Sequence, residues 1–334
     1  MKFVIGVLVA AVLAVGGYAG LLEYGAFDMP LKDLEAKYAK PTSKFMDIDG
    51  VRVHYMDEGP QDPAAPAIVL LHASYMNLLT WDSMAKALSS QYRVVRFDMP
   101  TNGLTGVDPK QRYSIEFNMQ ILDELTTKLG IQKFALLGTS SGGPVAFRYA
   151  AEKPERVTRM ILINSAGMPR TAQTNPNRQR GTTIDQWIKD RHRSMTYWRE
   201  NLAVNVTSMP PPDWLVEMAY DMGRRAGLRD EAALFLKNFK TGDPEAVLAQ
   251  VKAPTMILWG MSNPTVMHLE ANIISLWLTQ APSLVKKYPK VGHYLYLEIP
   301  SEVEKDVLDF LSGAKDGDLR ITQRVPVASA AKTP

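Results

Sequence analysis

The chain contains no cysteine. Disulfides, thiolate zinc sites and a cysteine nucleophile are excluded, and cysteine usage gives no clue to redox compartment. Neither sign of charge dominates: the net is +3 over 334 residues, too little to argue for a nucleic-acid partner. Histidine is sparse, with five in the chain, and no group of potential ligands has the spacing of a metal site. No metal and no cofactor is therefore expected. The apolar and charged fractions are those of an ordinary globular protein. The length suits one large α/β domain with an insertion, or two domains.

Long apolar stretches are absent except at the start. Phe3 to Leu22 carries no charged residue, and roughly twenty apolar residues in a helix span a hydrocarbon core. Lys2 before this run and Glu23 after it favour an N-inside orientation. The expectation is that residues 1–24 anchor the chain in a membrane, with the catalytic part outside the cytoplasm, periplasmic or extracellular. A cleaved signal peptide and a secreted protein are the alternative, with Gly17-Tyr18-Ala19 offering small residues for cleavage.

Beyond residue 43 the pattern alternates between strand and helix. Phe45 to Tyr55 alternates around Asp49-Gly50, a hairpin signal. Ala67 to Leu71 is a continuous apolar run, as in a buried parallel strand. Further strands are expected at Tyr92 to Phe97, Phe134 to Leu137, Met160 to Ile163, Met256 to Trp259 and Ser283 to Tyr288. Helical segments lie between them, one running from Ser114 to Leu129 and stopped by Gly130. Such alternation predicts a mostly parallel central sheet with helices on both faces. Residues 166–249 lose the strand signal and read as an inserted helical cap; residues 43–165 and 250–312 form the core. The stretch 313–334 is small, polar and expected to be disordered. The first half of the cap is rich in arginine, including Arg170, Arg178, Arg180, Arg191, Arg193 and Arg199. These residues form a solvated basic face or capture an anionic substrate or lipid surface.

Gly138-Thr139-Ser140-Ser141-Gly142 sits between a strand and a helix. That is the setting of a nucleophile elbow, where a sharp turn exposes a serine hydroxyl beside a helix N-terminus. The bland alternative is an ordinary Gly/Ser turn. A serine hydroxyl needs a base. His54 lies in the early hairpin, His72 ends a strand, His192 lies among arginines, and His268 follows a strand at some distance. His293 follows the last strand and precedes the last helix, at the carboxyl edge where ligands bind in open α/β sheets. It is the best candidate base for Ser140.

With these motifs in order, residues 43–312 resemble the α/β-hydrolase fold family. The resemblance rests on Leu70-Leu71-His72-Ala73-Ser74, Phe97-Asp98-Met99-Pro100, the elbow, Leu258-Trp259-Gly260, and Gly292-His293 followed by Glu298 and Pro300. It implies Ser140 as nucleophile, His293 as base, and an oxyanion hole from the backbone N–H groups of Ser74 and Ser141. Three departures stand out. Ala73 replaces the glycine usual after the histidine. Thr101-Asn102-Gly103 replaces a Gly-x-Gly, in a loop expected to be remote from the nucleophile. The position where the family places its third triad member, an acid, is Asn263, and the alternative position is Asn164. An amide can orient an imidazole but supplies no charge. Asn263 is the expected third member, Glu270 further along the loop is a substitute, and a site without a strict third member is the remaining possibility.

The expected function is a serine hydrolase acting on an ester or related acyl compound, a small-molecule substrate. Carbon–carbon bond hydrolysis and acyl transfer are related activities on this scaffold. A non-catalytic binding protein that keeps fold and pocket is the competing reading, motivated by the missing carboxylate.

Overall fold

The computed structural model describes residues 2–169 and 183–321. Helices α1 (Lys2–Tyr24) and α2 (Leu31–Tyr38) precede a hairpin of β1 (Lys44–Ile48) and β2 (Val51–Glu58). Then follow β3 (Ala67–Leu71), α3 (Asp82–Leu88), β4 (Arg93–Phe97), α4 (Ile115–Lys128), β5 (Phe134–Thr139), α5 (Gly142–Glu152) and β6 (Val157–Ile163). After β6, the described residues form α6 (Thr183–Arg191), α7 (Met195–Asn205), α8 (Asp213–Met222), α9 (Leu228–Asn238) and α10 (Pro244–Leu248). The chain then returns with β7 (Thr255–Gly260), α11 (Glu270–Trp277), β8 (Ser283–Tyr288), α12 (Leu295–Glu298) and α13 (Pro300–Leu311).

The eight strands make one sheet in the order β1-β2-β4-β3-β5-β6-β7-β8. β2 runs antiparallel to both neighbours, and β4 through β8 are parallel. The sheet is covered on both faces, so its central strands are apolar throughout. In β3, Val69 and Leu71 pack with Phe117, Leu122 and Val145 of α4 and α5. The alternate residues Ile68 and Leu70 pack with Trp81, Leu88 and Phe310 on the other face. This period-two division is what a pleated strand imposes. α4 begins where the Ser114 hydroxyl accepts from Phe117 N–H and ends before left-handed Gly130.

Among the described residues no helix is long and apolar enough to cross a membrane. That finding overturns the expected membrane anchor and the location outside the cytoplasm that depended on it. The end of α1 is committed to protein contacts instead. Leu22 is buried, its carbonyl accepts from Arg229, and Glu23 pairs with Arg191 at 2.6 Å. Gly16, Gly17 and Gly20 also leave gaps in the apolar surface of the helix. At the other end, Arg159 grips Asp316 through both oxygens, and Arg320 pairs antiparallel with Ser283. Residues 322–334 of the expected disordered tail lie outside the described residues, as do Arg170, Arg178 and Arg180.

Candidate active site

Ser140 lies between β5 and α5 with φ 49°, in the left-handed region where a non-glycine residue is strained. The turn is that sharp because two glycines permit it. A Cβ on Gly138 would meet Gly142 O at 2.4 Å, and one on Gly142 would meet Leu71 O at 2.7 Å. Strand and helix therefore approach more closely than alanine would allow. Ser140 is half-buried, and its hydroxyl stands at the N-terminus of α5, where the helix dipole favours developing negative charge. Its N–H donates to Ile163 O at 3.2 Å, and its carbonyl accepts from Ala166 N–H at 2.9 Å. The elbow is thus stitched to the end of β6.

The residue after Ile163, Asn164, is buried and also left-handed, with φ 44°. Its amide nitrogen donates to Gly292 O at 3.1 Å and to His293 O at 2.7 Å, and its oxygen accepts from Gly260 N–H at 3.0 Å. Asn164 is therefore a clamp across the ends of β6, β7 and the histidine loop. Both ends of its amide are spent on backbone groups, so it does not address the imidazole.

His293 itself is 3% exposed. Burial with no compensating charge pulls its pKa down to about 4. Its Nδ1 lies 3.2 Å from Asn263 Oδ1. That oxygen also accepts from Thr265 N–H at 2.9 Å and Val266 N–H at 3.2 Å. The structure thus brings His293 and Asn263 together. Glu270, the substitute weighed from sequence, starts α11 and accepts from Met267 N–H; burial raises its pKa. It forms no bond with His293. Among the described residues no direct hydrogen bond joins the Ser140 hydroxyl to His293. Catalytic pairs often close only when substrate binds.

The histidine loop is held from two further sides that sequence reasoning missed. Asn205, at the end of α7, accepts His293 N–H at 2.7 Å through its carbonyl and the Thr265 hydroxyl at 2.6 Å through its side chain. Glu298 takes Gly292 N–H, Thr207 N–H, Ser208 N–H and the Ser208 hydroxyl, all at 2.8–2.9 Å. A carboxylate so occupied cannot serve the imidazole. No local sequence pattern marks Asn205. Glu298 was legible as a motif residue but not in this role.

Ser74 and Ser141 place their N–H groups at the same edge, and neither N–H has a backbone acceptor among the described residues. Ala73 is buried and is not left-handed, so its methyl costs no backbone strain; the left-handed residue is Tyr75, with φ 64°. Asn102 Oδ1 accepts Tyr75 N–H at 3.1 Å. His72, neutral because burial lowers its pKa, accepts Met99 N–H and donates from Nδ1 to Ala73 O. The Thr101-Asn102-Gly103 loop was expected to be remote from the nucleophile. It instead buttresses the loop carrying Ser74.

A family model described as alpha/beta hydrolase fold matches residues 66–300. Over 285 residues the chain is 26% identical to a 2-hydroxy-6-oxononadienedioate/2-hydroxy-6-oxononatrienedioate hydrolase of Burkholderia vietnamiensis, covering 81% of this chain and 96% of that one. A protein of the same description from Dechloromonas aromatica is 27% identical over 288 residues, with 81% and 96% covered. Among solved structures, the enol-lactonase from Burkholderia xenovorans matches with a TM-score of 0.67 at 20% identity, covering 80% of this chain and 100% of that one. That structural likeness shows the fold.

Proposed function

The chain belongs to the alpha/beta hydrolase fold family and is a hydrolase, and from that premise we propose that it cleaves an ester or related acyl compound through an acyl-enzyme on Ser140. The observation that supports this most is the left-handed Ser140 on its strand-to-helix turn, tied through β6 to the loop bearing His293. His293 Nε2 takes the hydroxyl proton as Ser140 Oγ bonds to the acyl carbon. The N–H groups of Ser74 and Ser141 hold the resulting oxyanion, each contributing roughly 3 kcal/mol as in comparable sites. The acyl–oxygen bond then breaks, and the leaving alkoxide receives the proton from His293. Water, deprotonated by the same nitrogen, attacks the acyl-enzyme and frees Ser140 and a carboxylic acid. Helices α6 to α10 act as the cap that shapes the pocket.

Asn263 keeps the ring in the required tautomer and leaves the imidazolium without a countercharge. In serine proteases an asparagine in the acid's place lowers turnover by about 10⁴-fold because it presents the wrong tautomer; here the tautomer is kept and only the countercharge is missing. The enzyme is expected to be slower on simple esters than a site with a carboxylate at that place. Carbon–carbon bond hydrolysis is the second reading, favoured by the activities of the relatives. There the bond broken after serine attack is acyl–carbon, and the carbon leaving group takes the proton.

A fluorophosphonate probe tests the first step. Labelling of wild type, lost in Ser140→Ala, is the expected result, with turnover in a panel of p-nitrophenyl esters of different chain length. No adduct on a folded sample would sink the catalytic reading and leave a binding protein.

A further inference from the structure

Helix α7 touches both halves of the site. In its first turn, Trp198 meets the Tyr75 ring edge to face at 5.5 Å. At its end, the Asn205 carbonyl accepts His293 N–H at 2.7 Å. Positions 198 and 205 are about two helical turns apart, roughly 10 Å along the axis and on one face. One helix thus spans the loop carrying Ser74 and the loop carrying His293.

Both ends of this span are fixed in place. Trp198 is 2% exposed, and its indole lies against Gly223 at the end of α8, where an added Cβ would come within 2.7 Å of the ring. Ser194 caps the turn below it, its hydroxyl accepting Tyr197 N–H at 3.1 Å. At the other end, Asn205 Oδ1 accepts the Thr265 hydroxyl at 2.6 Å, on the loop that bears Asn263.

Tyr75 is the strained partner. Its φ of 64° is left-handed, a region that a bulky residue keeps only where its surroundings hold it. The core does not hold it, since the residue is 41% exposed. Its N–H is held by Asn102 Oδ1 at 3.1 Å, and its ring by Trp198 at the edge and by Arg193, just ahead of α7, at 5.0 Å. Upstream of Ser74 the loop is pinned again, where His72 Nε2 accepts Met99 N–H at 2.9 Å. Ser74 lies between these two pins, so releasing Tyr75 frees the peptide that carries its N–H.

We propose that α7 sets both halves of the machinery together, with Tyr75 the positioning residue through which Trp198 keeps Ser74 N–H aimed at the oxyanion. This rests on the hydrolase reading of Ser140. A shift of α7 loosens the oxyanion donor and the base at once, so the site is complete only while this helix is seated.

The test reads kcat and KM separately on one p-nitrophenyl ester. Tyr75→Ala should lower kcat by about ten- to a hundredfold, short of the full loss of an oxyanion donor, with KM within about twofold of wild type. Tyr75→Phe, which keeps the ring, should recover most of the rate. Trp198→Leu should lose at least as much as Tyr75→Ala, and adding Tyr75→Ala to it should cost little more, because both act through one contact. Hydrogen exchange read by mass spectrometry follows the same coupling without turnover. Trp198→Leu should speed exchange in residues 72–76 and 291–294 together, with β5 and β6 unchanged, whereas Tyr75→Ala should speed only the first. Wild-type kcat in Tyr75→Ala, additive losses in the double variant, or unchanged exchange in either loop of Trp198→Leu would each overturn the proposal. Should Trp198→Leu not fold, as judged by near-UV circular dichroism, Tyr75→Ala decides through kcat and the exchange of residues 72–76. If wild type turns over no ester and takes no fluorophosphonate, the hydrolase reading fails, and the exchange rates alone judge the coupling.

Discussion

Asn263 Oδ1 accepts the N–H groups of Thr265 and Val266 and stands 3.2 Å from His293 Nδ1. Two backbone donors admit only the oxygen at that place, so the amide cannot be flipped. Facing an acceptor, His293 Nδ1 must carry the hydrogen, which leaves the Nε2 lone pair free for a proton. A neutral side chain thereby fixes the tautomer of the imidazole. Its Nδ2 is buried and has no hydrogen-bond partner among the described residues.

Asn263→Asp is expected to raise esterase turnover by tenfold or more. Oδ1 keeps its three donors, the unpartnered amide nitrogen is removed, and a negative charge now faces the imidazolium formed during reaction. Steady-state kinetics on one p-nitrophenyl ester is the check. A large loss would mean that the amide has another function.

The pH profile should carry the mark of His293. Burial holds its pKa at about 4, so the ring is neutral and able to accept a proton above that value. kcat/KM should stay level from neutral pH down to about pH 5 and fall as pH drops through about 4. The negative charge in Asn263→Asp raises the pKa, moving this limb to higher pH. The linkage has a definite sign. Between the ordinary 6.5 and about 4 the unfolded chain binds the proton and the folded one does not. The contribution to stability is therefore present above 6.5 and lost as pH falls towards 4, which chemical denaturation at several pH values would read.

Asn164→Leu should cost about 3 kcal/mol or more of stability. It strips partners from Gly260 N–H, Gly292 O and His293 O inside the protein, and buried groups left unpaired cost roughly 1–3 kcal/mol each. Activity should fall with it, because the histidine loop loses its tie to β6. Denaturant melts and kinetics on the same sample would show whether the two losses go together.

Gly138→Ala should destabilise by about 2 kcal/mol or more, since the new methyl meets Gly142 O at 2.4 Å and Ala146 Cβ at 2.9 Å. A thermal melt unchanged from wild type would show that strand and helix can part without cost.

Much of this was legible along the chain. The hairpin at Asp49-Gly50, the apolar strands and the elbow are local patterns, set by pleat, helix period and two small residues around a turn. Ser140 and His293 could be picked out as candidates because their surroundings are short motifs. The Thr101-Asn102-Gly103 loop was misjudged because its partner, Tyr75, lies on another loop. The apolar start was misjudged because hydropathy does not reveal that Leu22 and Glu23 meet Arg229 and Arg191, which belong to helices far along the chain.

The sequence by itself determined the order of strands and helices, the strained serine turn and the absence of a carboxylate at position 263. These follow from neighbouring residues, whose sterics and periodicity act over a few bonds. Only the tertiary structure decided that Asn263 faces His293, that Asn164 clamps instead of orienting, and that Asn205 and Glu298 hold the histidine loop. Those roles depend on hydrogen-bond distances between residues up to 129 positions apart, which the chain acquires only when the sheet brings its carboxyl ends to one edge.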